Sequence, residues 1–216
     1  MKVTMIGLGI IGAIWAQNLQ KDGIEVKAWN RTKKDFPGFE PDLAKAAKGS
    51  EIIFIVVADP PAVQQVLDVI LPVLEKGQTV VQSSTISTKW TLEFARQVKM
   101  TGARFLEAPF TGSKPAAEQR KTVFYLGGEK SDIEAANPIL ERISAHRIHI
   151  GPTGSASALK LAMNMNIAMV FEGLSESLNF ARKQGISDET FFEALHLNVA
   201  RSGLSDLKEE KLKKDD

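Results

Sequence analysis

The first twenty-one residues constrain the fold more than any other stretch. Lys2-Val3-Thr4-Met5-Ile6 reads as an apolar strand, runs straight into Gly7-Leu8-Gly9-Ile10-Ile11-Gly12, and is followed by an apolar helical stretch. Strand, G-x-G-x-x-G turn and helix come in the order that a dinucleotide-binding unit requires. In such a unit Gly7 makes the tight turn, Gly9 lets the backbone approach a pyrophosphate, and Gly12 lets the helix pack on the strand. The pyrophosphate would rest on free N–H groups at the helix N-terminus, where the helix dipole also favours negative charge. Residues Gly7, Leu8, Gly9, Ile10, Ile11 and Gly12 are therefore the expected cofactor cradle.

The second half of that fingerprint lies after the next strand, Glu25–Trp29. A site that prefers NAD carries Asp or Glu there, to accept hydrogen bonds from the ribose 2′-OH. This chain has Asn30-Arg31-Thr32 instead. No carboxylate opposes a 2′-phosphate, and the planar guanidinium of Arg31 can bind one in a bidentate manner. The expected cofactor is NADP(H). An ordinary polar turn with a solvated arginine would read the same way without the glycines upstream.

Strand and helix patterns alternate through the first two thirds of the chain. Strands are expected at Val3–Ile6, Glu25–Trp29, Ile52–Val57, Thr79–Gln82, Arg104–Glu107, Val123–Leu126 and Arg147–Ile150. Helices are expected at Ile10–Lys21, Asp42–Lys48, Ala62–Leu74, Thr88–Met100 and Asp132–Ser144. Short connections between them mean a mainly parallel sheet covered on both faces, a doubly wound α/β fold of Rossmann type. The unbroken apolar run Ile52-Ile53-Phe54-Ile55-Val56-Val57 suits a strand buried on both sides.

After Gly151 the pattern changes. Ser155 to about Gln184 contains no proline and one interior glycine, Gly173, and a helix of that length would span about 45 Å. Its apolar residues fall on more than one face, so it must be buried between layers or between subunits. Gly185 ends it, and Asp188-Glu189 opens another helix through about Leu197. The expected organisation is a nucleotide-binding domain over residues 1–153. A long interdomain helix then leads into a shortened all-helical domain over 154–216.

Composition excludes several classes. The 216 residues carry 27 basic and 26 acidic side chains, a net charge of +1, so no nucleic-acid partner is expected. No apolar run is long enough to span a bilayer, and no leader is expected before a fold that starts at Lys2, so a cytoplasmic protein is expected. The absence of cysteine fits a reducing compartment and excludes thiolate chemistry. His146, His149 and His196 have no partners at metal-ligand spacing, and no metal is expected.

Four further segments stand out, the first two of them at C-terminal strand ends, where a doubly wound sheet binds its ligand. They are Val56-Val57-Ala58-Asp59, Val81-Gln82-Ser83-Ser84-Thr85-Ile86-Ser87, Ala108-Pro109-Phe110-Thr111-Gly112-Ser113, and Gly151-Pro152-Thr153-Gly154-Ser155 leading to Lys160 and Asn164. Together with the opening turn they resemble the β-hydroxyacid dehydrogenases, the 3-hydroxyisobutyrate dehydrogenase family, which includes NADPH-dependent glyoxylate and succinic semialdehyde reductases. The resemblance covers essentially the whole chain. It implies that Val57, Ala58 and Thr85 flank the nicotinamide side of the cofactor, and that Thr111, Gly112 and Ser113 hold a carboxylate-bearing substrate. The family's substrate loop usually reads Ala-Pro-Val-Ser-Gly followed by Gly or Ser, so Thr111 replaces a serine but keeps a hydroxyl. Ala156 stands where a second glycine is common. Lys160 and Asn164 match the catalytic segment.

At i and i+4, Lys160 and Asn164 share one helix face. An ammonium can polarise a carbonyl oxygen and donate a proton to it while Asn164 orients the substrate. Two function classes follow. One is an NADP-dependent oxidoreductase acting on a small β-hydroxyacid or aldehyde acid. The other is an NADP-binding scaffold or inactive fragment, because in the resembling family the second domain runs on through more helices than this sequence contains. The uncovered long helix implies a homodimer or larger homo-oligomer formed through it.

Overall fold

The computed structural model describes residues 1–214, which separate into two compact units, one over Met1–Leu161 and the other from Ala162 onward. In the first unit, strands β1 (Lys2–Ile6), β2 (Glu25–Trp29), β3 (Ile52–Ile55), β4 (Thr79–Gln82) and β5 (Arg104–Glu107) pair in parallel in the order β2-β1-β3-β4-β5. The two-residue β6 (Phe110–Thr111), expected as loop, pairs antiparallel with β7 (Thr122–Gly127). Strand β7 joins β5 antiparallel through Glu107 and Gly127, and β8 (Ser144–Gly151) runs parallel to β7.

Helices cover both faces, as the two-sided apolar runs require. The period of two sorts each strand. Ile52 and Phe54 of β3, Val81 of β4 and Leu106 of β5 enter one core with Trp15, Leu19, Phe124, Leu140 and Ile143. Ile53 and Ile55, Val80 and Phe105 enter the opposite core with Val63, Leu67, Ile70, Phe94 and Val98. Helices α1 (Ile10–Lys21), α5 (Lys114–Glu118) and α6 (Lys130–Ile143) thus pack on the first face. Helices α2 (Leu43–Ala47), α3 (Pro60–Ile70) and α4 (Thr88–Lys99) pack on the second. Trp15 anchors the first core. Its ring meets Phe110 and Phe124 at centroid distances of 4.7 and 5.0 Å, and its Nε1–H donates to Thr122 Oγ1 at 3.3 Å.

Several boundaries differ from the sequence expectation for local reasons. Strand β3 stops at Ile55 rather than Val57. The Val56 N–H still donates to Ile6, but the Val57 N–H turns to the hydroxyl of Ser84 at 2.8 Å. Helix α3 starts at Pro60 rather than Ala62, because Asp59 caps the Ala62 N–H at 2.9 Å and prolines in the first turn need no acceptor. It gives way to a 3-10 turn at Leu71–Val73, where Pro72 disfavours further α conformation.

Helix α7 (Ser155–Lys183) begins in the first unit and ends in the second. The units divide between Leu161 and Ala162 because the first turns of α7 are hydrogen-bonded to Glu107 and Thr91 of the first unit. In the second unit, Leu174 and Leu178 of α7 and Phe192 of α8 (Asp188–His196) form a small core, with Leu212 of α9 (Gly203–Lys213) against it. Arg182 pairs in bidentate fashion with Asp188, and Glu209 accepts from both His196 and Lys213 at 2.7 Å. Met163, Met165, Ile167, Met169 and Val170 of α7 stand exposed.

The tightest backbone approach in the first unit lies at the β1–α1 turn. Gly7 has φ +103°, and a Cβ there would overlap the Val56 carbonyl; a Cβ at Gly12 would overlap the Gly7 carbonyl oxygen. Both obstacles are backbone and cannot swing away. Gly12→Ala should therefore destabilise the chain by about 1–3 kcal/mol, the scale of overpacking. Urea unfolding of the two proteins measures it, and equal midpoints would show that helix and strand can part at no cost.

Candidate functional site

A cleft of about 750 Å³ opens at the C-terminal ends of β1, β2 and β3, where a doubly wound sheet places its ligands. Its floor is the glycine turn. Gly7 is pinned by its N–H to the Trp29 carbonyl at 2.9 Å, and the Leu8 N–H donates to Asn30 Oδ1 at 3.0 Å. The other end of the same amide, Nδ2, donates to the Thr32 carbonyl at 2.8 Å. Asn30 therefore uses both its donor and its acceptor to fasten the turn to the end of β2. An aspartate at that position could do only the first.

The cradle fits a dinucleotide on three grounds. A Cβ at Gly9 would meet nothing within 4 Å, so packing within the protein does not demand glycine there, while close approach of a ligand does. Helix α1 has no side-chain cap and no acidic residue in its first turn, which leaves its leading N–H groups for an anion. The far wall is apolar, formed by Trp29, Pro41, Leu43, Val66 and Val69, a surface for a flat ring. No acidic group is paired with Arg31 among the described residues, and it lines the cleft exposed, beside Thr32.

The structure brings together most, but not all, of the residues expected at the site. Gly7, Gly9, Ile10, Ile11, Gly12, Asn30, Arg31, Thr32, Val57 and Ala58 line one cleft. Leu8 does not: its side chain is buried in the core and its N–H is held by Asn30. Thr85 is exposed outside the cleft. Thr111 lies in β6, Gly112 has φ +138° beyond it, and Ser113 precedes α5, all three outside the cleft. Phe110, by contrast, lines it from beside Trp15. Sequence reasoning missed Phe110 and the apolar wall, because single apolar residues spread over four segments carry no local signal.

Lys160 lies in the second turn of α7, half-buried, with no hydrogen bond or ion pair among the described residues. Burial pushes its ammonium below the ordinary lysine range. Asn164 follows one turn later on the same helix, exposed, in the second unit. Among the described residues no group of three or more His, Cys, Asp or Glu gathers in metal-binding proximity, and no helix is long and apolar enough to cross a membrane.

Residues 2–151 match the model of the NAD binding domain of 6-phosphogluconate dehydrogenase. Over 221 aligned residues the chain is 29% identical to glyoxylate/succinic semialdehyde reductase 2, chloroplastic, of Arabidopsis thaliana, with 96% of this chain and 61% of that protein covered. It is 30% identical to 2-hydroxy-3-oxopropionate reductase of Escherichia coli, with 98% of this chain and 76% of that protein covered. The chain thus spans less than two thirds of the first of these. In fold it is similar to 3-hydroxyisobutyrate dehydrogenase from Salmonella typhimurium, at 20% identity and a TM-score of 0.88 over all of this chain and 79% of that one.

The lowered affinity of Lys160 for its proton has a consequence for stability. With the folded pKa below the unfolded one, the native chain sheds this proton first as pH rises. The cost of burying the ammonium is therefore fully present at neutral pH and fades as pH climbs through the lysine range. Lys160→Met should be more stable than the parent at pH 7, and its advantage should shrink toward pH 10. Thermal melts across that range read the difference; a variant less stable at pH 7 would mean that Lys160 has a partner that holds it.

Proposed function

The chain belongs to the β-hydroxyacid dehydrogenase family, and from that we propose that it is an NADP(H)-dependent oxidoreductase of small aldehyde acids and their β-hydroxyacids. The observation that carries the reading is the half-buried lysine, unpaired among the described residues, at the position of the family's catalytic segment. A lysine held away from water and from carboxylates has no structural bond to satisfy and gives up its proton more readily than a surface lysine.

In this reading the α1 N-terminus and the Gly9 backbone bind the pyrophosphate, and Arg31 binds the 2′-phosphate of the ribose. The bound cofactor supplies a hydride to the carbonyl carbon of the substrate. Lys160 polarises the carbonyl oxygen and donates the proton that makes it a hydroxyl, with Asn164 orienting the substrate. Thr111, Gly112 and Ser113 hold the substrate carboxylate through hydroxyl and backbone N–H donors. Glyoxylate and succinic semialdehyde, the substrates named for one relative, are the first aldehydes to test.

A cofactor-binding module without turnover is the second reading. It is favoured by the position of Thr111, Gly112 and Ser113 outside the cleft. Oxidation of NADPH against the two aldehydes separates the readings. The parent should turn over at least one of them, and Lys160→Met should lose about 10²–10⁴-fold in kcat, the range for a missing general acid, with NADPH affinity retained. NADPH should bind more tightly than NADH, and Arg31→Ala should remove that preference. No turnover with either aldehyde despite tight NADPH binding would favour the binding module.

We also propose that copies of the chain associate through α7. Five large apolar side chains from Met163 to Val170 stand exposed on one helix, a surface that water penalises. Light scattering should give a particle larger than one 23.6 kDa chain, and Met169→Asp should reduce it. A parent that scatters as a single chain at micromolar concentration would exclude this assembly.

A further inference from the structure

Glu107 is the last residue of β5, fully buried, and no lysine, arginine or histidine pairs with it among the described residues. Its carboxylate instead accepts four hydrogen bonds from the start of α7. Oε1 takes the N–H groups of Gly154 and Ala156 at 2.5 and 3.0 Å, and Oε2 takes the N–H and the hydroxyl of Ser157 at 3.1 and 2.6 Å. A buried carboxylate without donors would be expensive, and here the positive end of a helix supplies both donors and countercharge. Space for it is left by Gly127 across the strand pair, where any Cβ would overlap the Glu107 carboxylate.

The clamp restricts both ways in which a helix can slip. The three N–H bonds fix α7 along its axis. The Ser157 hydroxyl, which also meets Thr91 Oγ1 of α4 at 2.8 Å, fixes its rotation. Lys160 stands three residues beyond Ser157, on the same side of the helix and about 4.5 Å along the axis. A slip of one residue would rotate that side chain by about 100° to another face.

We propose that Glu107 is the positioning residue for Lys160: its carboxylate, bound to the first turn of α7, sets where the lysine ammonium stands. This rests on the reading of Lys160 as the proton donor. Glu107 touches no reacting group and acts only through the helix. The same contact closes the N-terminus of α7 to outside anions, so of the two helices α1 is the one left open to a phosphate.

The test is a cycle of Glu107→Gln, an uncharged isostere, with Lys160→Met, in NADPH oxidation with glyoxylate and succinic semialdehyde. Displacing a reacting group by about 1 Å costs about 10²-fold, so Glu107→Gln should lower kcat on that scale while NADPH binding by fluorescence stays within about twofold. In the Lys160→Met background the same change should cost nothing further, since there is no ammonium left to misplace. A second arm needs no turnover: acylation of Lys160 by acetic anhydride against pH, read by mass spectrometry, should shift toward the surface lysines when Glu107 is changed. Should Glu107→Gln fail to fold, Ser157→Ala removes one of the four donors and is held to the same criteria. Equal losses in both backgrounds, or an acylation profile that does not move, would overturn the proposal. Full turnover by Lys160→Met alone would instead overturn the proton-donor role, leaving the acylation arm to decide whether Glu107 sets the lysine's surroundings.

Discussion

The close passage of backbone at the β1–α1 turn sets the terms for everything around it. Gly7 lies against the Val56 carbonyl and Gly12 against the Gly7 carbonyl, with no side chain between them. That contact brings the end of β1, the start of α1 and the exit of β3 to one point, and the cleft opens there. Ile10, Ile11 and Gly12 at the start of α1 line the cleft because the helix starts at the contact, not a turn away from it. Asn30 completes the arrangement by tying the Leu8 N–H and the Thr32 carbonyl to the same amide.

Two helix N-termini in the first unit illustrate opposite uses of one physical property. Both carry the unsatisfied N–H groups and partial positive charge common to all helices. At α1 there is no cap and no first-turn acid, and glycine leaves the space beside Gly9 empty. At α7 the groups are consumed internally by Glu107, with four hydrogen bonds to one carboxylate. The first arrangement leaves a binding capacity open to a ligand. The second converts it into a joint that holds a helix to the sheet, and the lysine on that helix follows.

Lys160 is a local conflict that packing alone does not explain. Its ammonium is half withdrawn from water with no acceptor among the described residues, and burial lowers its affinity for the proton. Costs of this kind concentrate where chemistry needs a shifted proton affinity. The exposed methionines and aliphatics of α7 are a conflict of another kind, between apolar surface and water, and association is the physical remedy for it.

Much of this was legible in the residues. The strand-turn-helix opening, the alternation of elements and the continuous helix from Ser155 follow from local rules: glycine at close approaches, period two in buried strands, and the absence of proline over a long stretch. Even the two-sided burial of Ile52–Ile55 could be read from its unbroken apolar run. What the sequence could not reveal depends on residues far apart in the chain. Glu107 meets Ser157 across fifty positions, Phe110 lines the cleft with its ring against Trp15, and Leu8 packs its side chain into the core while Asn30 takes its N–H. Local propensity decides which element a segment forms, since those energies come from neighbours within a few residues. Which carboxylate closes a helix and which ring walls a cleft is decided by packing of distant segments, and only tertiary structure brings those together.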